Sequence, residues 1–235
     1  KVEQYFSDDK LIKIYNNLTP VFPNFLLEDL DLVLKFYNLR KLGLSSNKIA
    51  NKKTHVFELK SKDGLRWGVK FWVCSETGLI LKLHYFDGAN KVLKKEFFAD
   101  ISIDPKKQLN LNFSTQDSKN WRKIYISSIR NGSPNSLFDY FGSSGFSFIN
   151  CLDTKYHNSK VKYDTSLVHQ QCLFSDGVAI VSVVTQNSVR PIKIFQRSNG
   201  CMSEKVGLKD NKPLYVGGCV PKETIKYFFN KLSVD

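Results

Sequence analysis

The sequence predicts a mainly β protein: an antiparallel two-sheet sandwich or jelly-roll, with an N-terminal helical segment and a C-terminal amphipathic helix. Three observations predict it. Short runs of alternating apolar and polar residues recur between Thr54 and Val216, the period of a half-buried strand. Turn-forming pairs separate them: Asp87-Gly88, Asp104-Pro105, Asn131-Gly132, Asp176-Gly177 and Asn199-Gly200, at the spacing of a sandwich or barrel. Apolar residues make up 42% of the 235 residues and aromatic residues 13%, enough for a core and too many for a disordered chain.

The elements follow in order. Ser7 before Asp8 and Asp9 reads as a helix start, with Leu11, Ile12, Tyr15 and Leu18 at helical spacing until Pro20. The stretch LLEDLDLVLKFYNLRKLGL fits both periods. Leu27, Leu30, Leu34 and Tyr37 suit a helix, whereas Leu30, Leu32, Leu34 and Phe36 suit a strand, and a helix is preferred. Residues 1–50 are thus expected to form a helical segment packed on a β-sandwich domain of residues 51–235. A candidate sub-boundary lies near 142–160, beside the Gly- and Ser-rich FGSSGFS.

The clearest unit is WGVKFWVCSETGLILKLHYFDG. A three-residue loop, Glu76-Thr77-Gly78, pairs Val73 with Leu81 and Phe71 with Leu83, and gives Gly78 the left-handed position. Val69, Phe71, Val73, Leu81, Leu83 and Tyr85 then face a core. Lys70, Trp72, Lys82 and His84 share the opposite face. Further strands are expected in VLKKEFFADISI, QLNLNF, WRKIYISSI, VAIVSVV and RPIKIFQ. PKETIKYFFNKL closes the chain, with Pro221 opening a helix whose Ile225, Phe228, Phe229 and Leu232 stripe docks on the sheet.

The formal net charge is +13, a balance that raises nucleic acid or an anionic surface. Yet 29 of the 35 basic residues are Lys and 6 are Arg, and base readout favours the guanidinium fork. Nucleic-acid binding through the basic surface is therefore an alternative rather than the leading reading. No apolar run approaches the roughly 18 residues that cross a bilayer.

Of five cysteines, Cys151, Cys172, Cys201 and Cys219 cluster late in the chain, and Cys74 stands apart. The clustering suits two disulfides, with Cys151–Cys172 and Cys201–Cys219 the preferred pairing among fifteen; five buried thiols are the alternative. No cysteine or histidine spacing is that of a zinc site, and no cofactor or metal is expected. Sequons stand at Asn17, Asn112 and Asn131. The chain begins at Lys1 without Met, which with the clustered cysteines points to a secreted or surface protein.

Phosphate-loop, metalloprotease, calcium-loop and nucleophile-elbow patterns are all missing. Cys74 and His84 point to one face of the hairpin but lie at its opposite ends, too far apart for a catalytic pair. No catalytic residue is expected, although a hydrolase site assembled from distant loops is kept as an alternative. The Lys70, Trp72, Lys82, His84 face offers a cationic, aromatic platform; its plainer reading is a solvated sheet face.

Three segments, WGVKFWVCSETGLILKLHYFDG, NWRKIYISSIRNG and NKPLYVGGC, together resemble the strand landmarks of laminin-G and related concanavalin-like sandwiches. Trp121 would open a later strand, and Pro213 to Gly218 would supply the closing segment. The chain departs from that family in the long interval between Trp121 and Gly217. The resemblance implies adhesion or glycan recognition rather than catalysis. The expected function is a non-enzymatic recognition module binding a protein or acidic glycan, in a host-interaction or viral or parasite structural setting.

Overall fold

The computed structural model describes residues 2–15, 30–102, 120–129, 144–156, 169–186 and 193–232. The sequons at Asn17, Asn112 and Asn131, and the expected strand QLNLNF, lie outside them. The described residues form fourteen strands and two short helices, so the chain is mainly β as expected. Nine strands form one sheet, in the order β1-β2-β8-β9-β10-β11-β14-β13-β12, and five form a second, in the order β3-β4-β5-β6-β7.

The N-terminus corrects one expectation. Residues 2–15 are no helix but a hairpin of β1 (Val2–Phe6) and β2 (Leu11–Tyr15). Ser7, Asp8 and Asp9 are favoured in turns for the same reason they cap helices: their short polar side chains and backbones bond locally. Here they turn the chain, the Lys10 N–H donating to the Ser7 carbonyl at 3.2 Å. β-Branched Ile12 and Ile14 are buried, and β2 then pairs parallel with β8 (Arg122–Ile129).

The ambiguous stretch divides between its two periods. Helix α1 covers Leu30–Phe36 and strand β3 follows at once over Tyr37–Leu44. Val33 and Tyr37, four apart, are both buried where the two elements join.

β4 (Thr54–Ser61), β5 (Gly68–Cys74), β6 (Ile80–Phe86) and β7 (Val92–Phe97) complete the smaller sheet. In the β5–β6 hairpin Lys70 pairs with His84, Phe71 with Leu83 and Trp72 with Lys82. Nearer the turn the expected register fails: a bulge at Leu81 sets Val73 opposite Ile80. The Cys74 N–H donates to the Leu79 carbonyl at 2.7 Å, so the connection is four residues, Ser75 to Gly78. Gly78 takes the left-handed conformation, φ 73°, and a bulge lets the longer loop close without turning Leu81 out of the core.

The larger sheet continues through β9 (Ser147–Tyr156), β10 (His169–Ser175), β11 (Ile180–Gln186), β12 (Phe195–Asn199), β13 (Met202–Lys209) and β14 (Lys212–Gly218). Helix α2 (Lys222–Lys231) packs Ile225, Phe228 and Phe229 on one face of it, against Phe174, Val181, Val183, Leu214 and Val216. Disulfides join Cys151 to Cys172, directly opposite on β9 and β10, and Cys201 to Cys219. Cys74 is a free, buried thiol.

A second core holds the sheets together. Tyr37, Leu59, Val69, Phe71, Leu83 and Tyr85 of the smaller sheet meet Val33, Val178 and Cys201. At its edge lies Arg66, whose side chain is wholly buried between Asp176 and Asp63. Its Nε donates to Asp176 Oδ2 at 2.5 Å, and its remaining nitrogens reach Asp63 and the Ser144 carbonyl. The guanidinium also lies 4.3 Å from the Phe36 ring centroid and 4.8 Å from that of Phe146. Asp176 is matched in turn: Tyr37 Oη donates to Oδ2 at 3.2 Å, and the N–H groups of Val178 and Ala179 donate to Oδ1 at 2.9 and 2.7 Å.

Candidate functional site

Strand alternation sends Val69, Phe71, Leu83 and Tyr85 into the core and leaves the other face of the smaller sheet outward. Cross-strand pairing arranges that outward face in rows. One row runs Arg40, Glu58, Lys70, His84, Lys95 across all five strands. Two residues further along, a second row contains Val56, Trp72, Lys82 and Phe97. On the other side a third contains Asn38, Lys60, Phe86 and Val92, with Gly68 lying beside Phe86.

The four residues singled out from the sequence are together. Lys82 Nζ stands 4.7 Å from the Trp72 ring centroid, and the Trp72 and His84 rings are 4.7 Å apart at 60°. Glu58 is the one carboxylate on the strand positions of this face among the described residues. It is shared by Arg40 at 2.9 Å and Lys70 at 3.6 Å. Burial first, and then Lys82, Lys95 and Lys70, pull the His84 pKa down to about 4. His84 is therefore a neutral imidazole at pH 7, and its buried Nε2 has no hydrogen-bond partner.

A depression of about 480 Å³ opens on the face, lined by Asn38, Arg40, Glu58, Lys60, Lys70, His84, Phe86, Asn90 and Val92. All of these belong to β3–β7 and the β6–β7 turn, so among the described residues one sheet builds the site. Gly68 is required here: a Cβ at that position would collide with the Phe86 ring, which lies across it. Sequence reading missed Gly68, Phe86 and Lys60 as parts of the site. The signal was parity, since Phe86 lies two residues beyond His84 and Gly68 two before Lys70, but the register that joins them to Lys60 needs β4 placed beside β5.

Among the described residues this face carries no nucleophile–base pair. Cys74 lies four residues beyond Lys70 along β5, about 13 Å from the position opposite His84. Among the described residues no group of His, Cys, Asp and Glu could hold a metal ion, and no helix is long and apolar enough to cross a membrane.

Residues 1–121 match the family model of the MucB/RseB N-terminal domain, just over half of the 235-residue chain. The chain belongs to the MucB/RseB family. Solved structures share its fold. A Pseudomonas aeruginosa MucA/MucB complex matches at a TM-score of 0.57 and 19% identity, over 87% of this chain and 66% of the other. MucB in complex with MucA(peri) matches at 0.56 and 19%, over 88% and 70%. MucB alone matches at 0.58 and 18%, over 93% and 69%. The chain thus spans about two thirds of the length of the solved MucB chains. No curated protein matches.

The family match overturns the laminin-G resemblance. The segment that carried most of it, WGVKFWVCSETGLILKLHYFDG, lies inside residues 1–121 and is an amphipathic hairpin. Alternation with a Gly turn is what any half-buried hairpin shows, so it marks a local structure and not a family. The adhesion reading rested on that resemblance and loses its support with it; the acidic-glycan reading rested also on the basic, aromatic face, and the family match gives it no support.

Proposed function

We propose that this chain is a non-enzymatic binding module that captures a MucA-like partner protein outside the cytoplasm, and that the outward face of β3–β7 is a contact surface for it. The observation that carries this reading is the family match, whose residues 1–121 contain the whole of the smaller sheet. The solved MucB complexes contain MucA, which supports a protein as the partner. The two disulfides favour an oxidising compartment such as the bacterial periplasm. The face contributes cations and an aromatic ring around a depression and no nucleophile–base pair, which suits recognition rather than turnover.

Titration calorimetry with the extracytoplasmic domain of a MucA-like protein from the same genome tests the proposal. Saturable binding at micromolar concentration or tighter is the expected result. Its absence with both disulfides intact overturns the reading.

A further inference from the structure

The rows on the outward face differ in chemistry, and their order specifies a ligand. The middle row is cationic: Arg40, Lys70 and Lys95 flank a single carboxylate, Glu58, already held by two of them, and a neutral His84. Lys60, exposed at the rim of the depression, and Lys95 have no carboxylate partner among the described residues. The rows on either side each carry an apolar pair beside a lysine. One holds the Trp72 ring, with Lys82 over it, and Phe97, which is 60% exposed; the other holds Lys60, Val92, which is 43% exposed, and Phe86, which is 6% exposed and lines the depression. Successive rows are two residues apart along the strands, about 6.6 Å.

An extended peptide repeats its side chains on one face with the same two-residue period. Laid along the strands, its residues i, i+2 and i+4 meet the three rows in succession. Complementarity then requires an apolar side chain, a carboxylate and an apolar side chain in that order. We infer that this face recognises an extended segment of the partner with the pattern apolar-x-acidic-x-apolar, its carboxylate among Lys60, Lys70 and Lys95, one apolar side chain on Phe86 and Val92, and the other on Trp72 and Phe97. The inference rests on the proposed protein-binding function and adds the class of sequence bound. A peptide lying across the strands would follow a single row and would have no use for the apolar pairs on either side. A merely charged ligand would not distinguish the order of its residues.

Three peptides, followed by fluorescence polarisation against the full disulfide-bonded chain, test the pattern: a single Phe-Ser-Glu-Ser-Leu flanked by Gly-Ser, the same with Gln for Glu, and an isomer of equal composition with Phe and Leu adjacent and Glu outside them. The first should bind about tenfold or more tightly than either of the others. Lys60→Gln/Lys70→Gln should erase that advantage. Lys60→Glu/Lys95→Glu, which leaves the Glu58–Lys70 pair in place, provides a second variant should the first unfold. Equal binding of the isomer, or an advantage that survives both variants, overturns the inference. The MucA-like domain is titrated in parallel so that two failures are distinguishable. If the domain binds while the ordered peptide shows no preference, the pattern is wrong and the protein-binding function stands. If the ordered peptide is preferred while the domain does not bind, the pattern stands and the partner class is wrong.

Discussion

Arg66 and the lysines of the outward face are opposite ways of placing positive charge on one small sheet. At the seam every nitrogen of the Arg66 guanidinium is matched, and its main partner, Asp176, is matched again by a hydroxyl and two backbone N–H groups. On the outward face one carboxylate serves two cations, while Lys60 and Lys95 go without one among the described residues. Charge that is buried and fully hydrogen-bonded fixes how two elements meet. Charge that is exposed and unmatched contributes little to folding and remains available to a ligand. The difference separates the structural part of this molecule from the recognising part.

Breaking the seam should have the largest effect. Arg66→Met leaves the Asp176 and Asp63 carboxylates beside an apolar side chain and should lower stability by about 3–5 kcal/mol in urea unfolding, as for a buried pair that loses one partner. A loss below about 1 kcal/mol would show that the sheets are held by apolar contact alone.

Gly68→Ala should come next, costing about 1–3 kcal/mol because the new Cβ displaces the Phe86 ring. It also reshapes the depression, so partner affinity should fall along with stability. Trp72→Ala, on the exposed side of the same hairpin, should do the reverse of Arg66→Met. It should reduce partner affinity about tenfold and cost about 1 kcal/mol of stability, since it removes the cation–π contact with Lys82 and the ring contact with His84. A loss of about 3 kcal/mol or more would place Trp72 in the core instead.

His84→Gln should have the smallest effect, visible only against pH. The folded pKa of His84, about 4, lies below the ordinary 6.5, so the unfolded chain binds the extra proton between those values. The His84 contribution to stability is therefore complete above about pH 6.5 and is lost as pH falls towards 4. Lys70 and Lys95, its neighbours in the row, and Lys82 are the charges that face it, with Glu58 one strand beyond Lys70. Thermal unfolding across that range should show a decline in the wild type that is shallower in His84→Gln; parallel curves would assign the decline to other groups.

The contrast between seam and face also explains what could be read from the sequence. Alternation along Val69–Val73 and Leu81–Tyr85 was enough to put the apolar set inside and Lys70, Trp72, Lys82 and His84 on one face, because parity within a hairpin is a local property. The Ile225, Phe228 and Phe229 stripe was legible for the same reason. Residues 8–15 were not, because Ser7, Asp8 and Asp9 suit both a helix cap and a turn, and only pairing with β8 decides between them. The Arg66 cluster was invisible: its partners lie at 63, 144 and 176, and no periodicity links them. Lys60 and Phe86 joined the candidate site only once β4 lay beside β5. Local alternation likewise suggested the wrong family, since an amphipathic hairpin belongs to many.

The most direct test of the account is lysine footprinting by mass spectrometry, with and without the MucA-like domain bound. Lys60, Lys70, Lys82 and Lys95 should lose reactivity in the complex, while Lys222 and Lys226, exposed on α2 against the larger sheet, should keep theirs. Protection on α2 with the four lysines unchanged would contradict it.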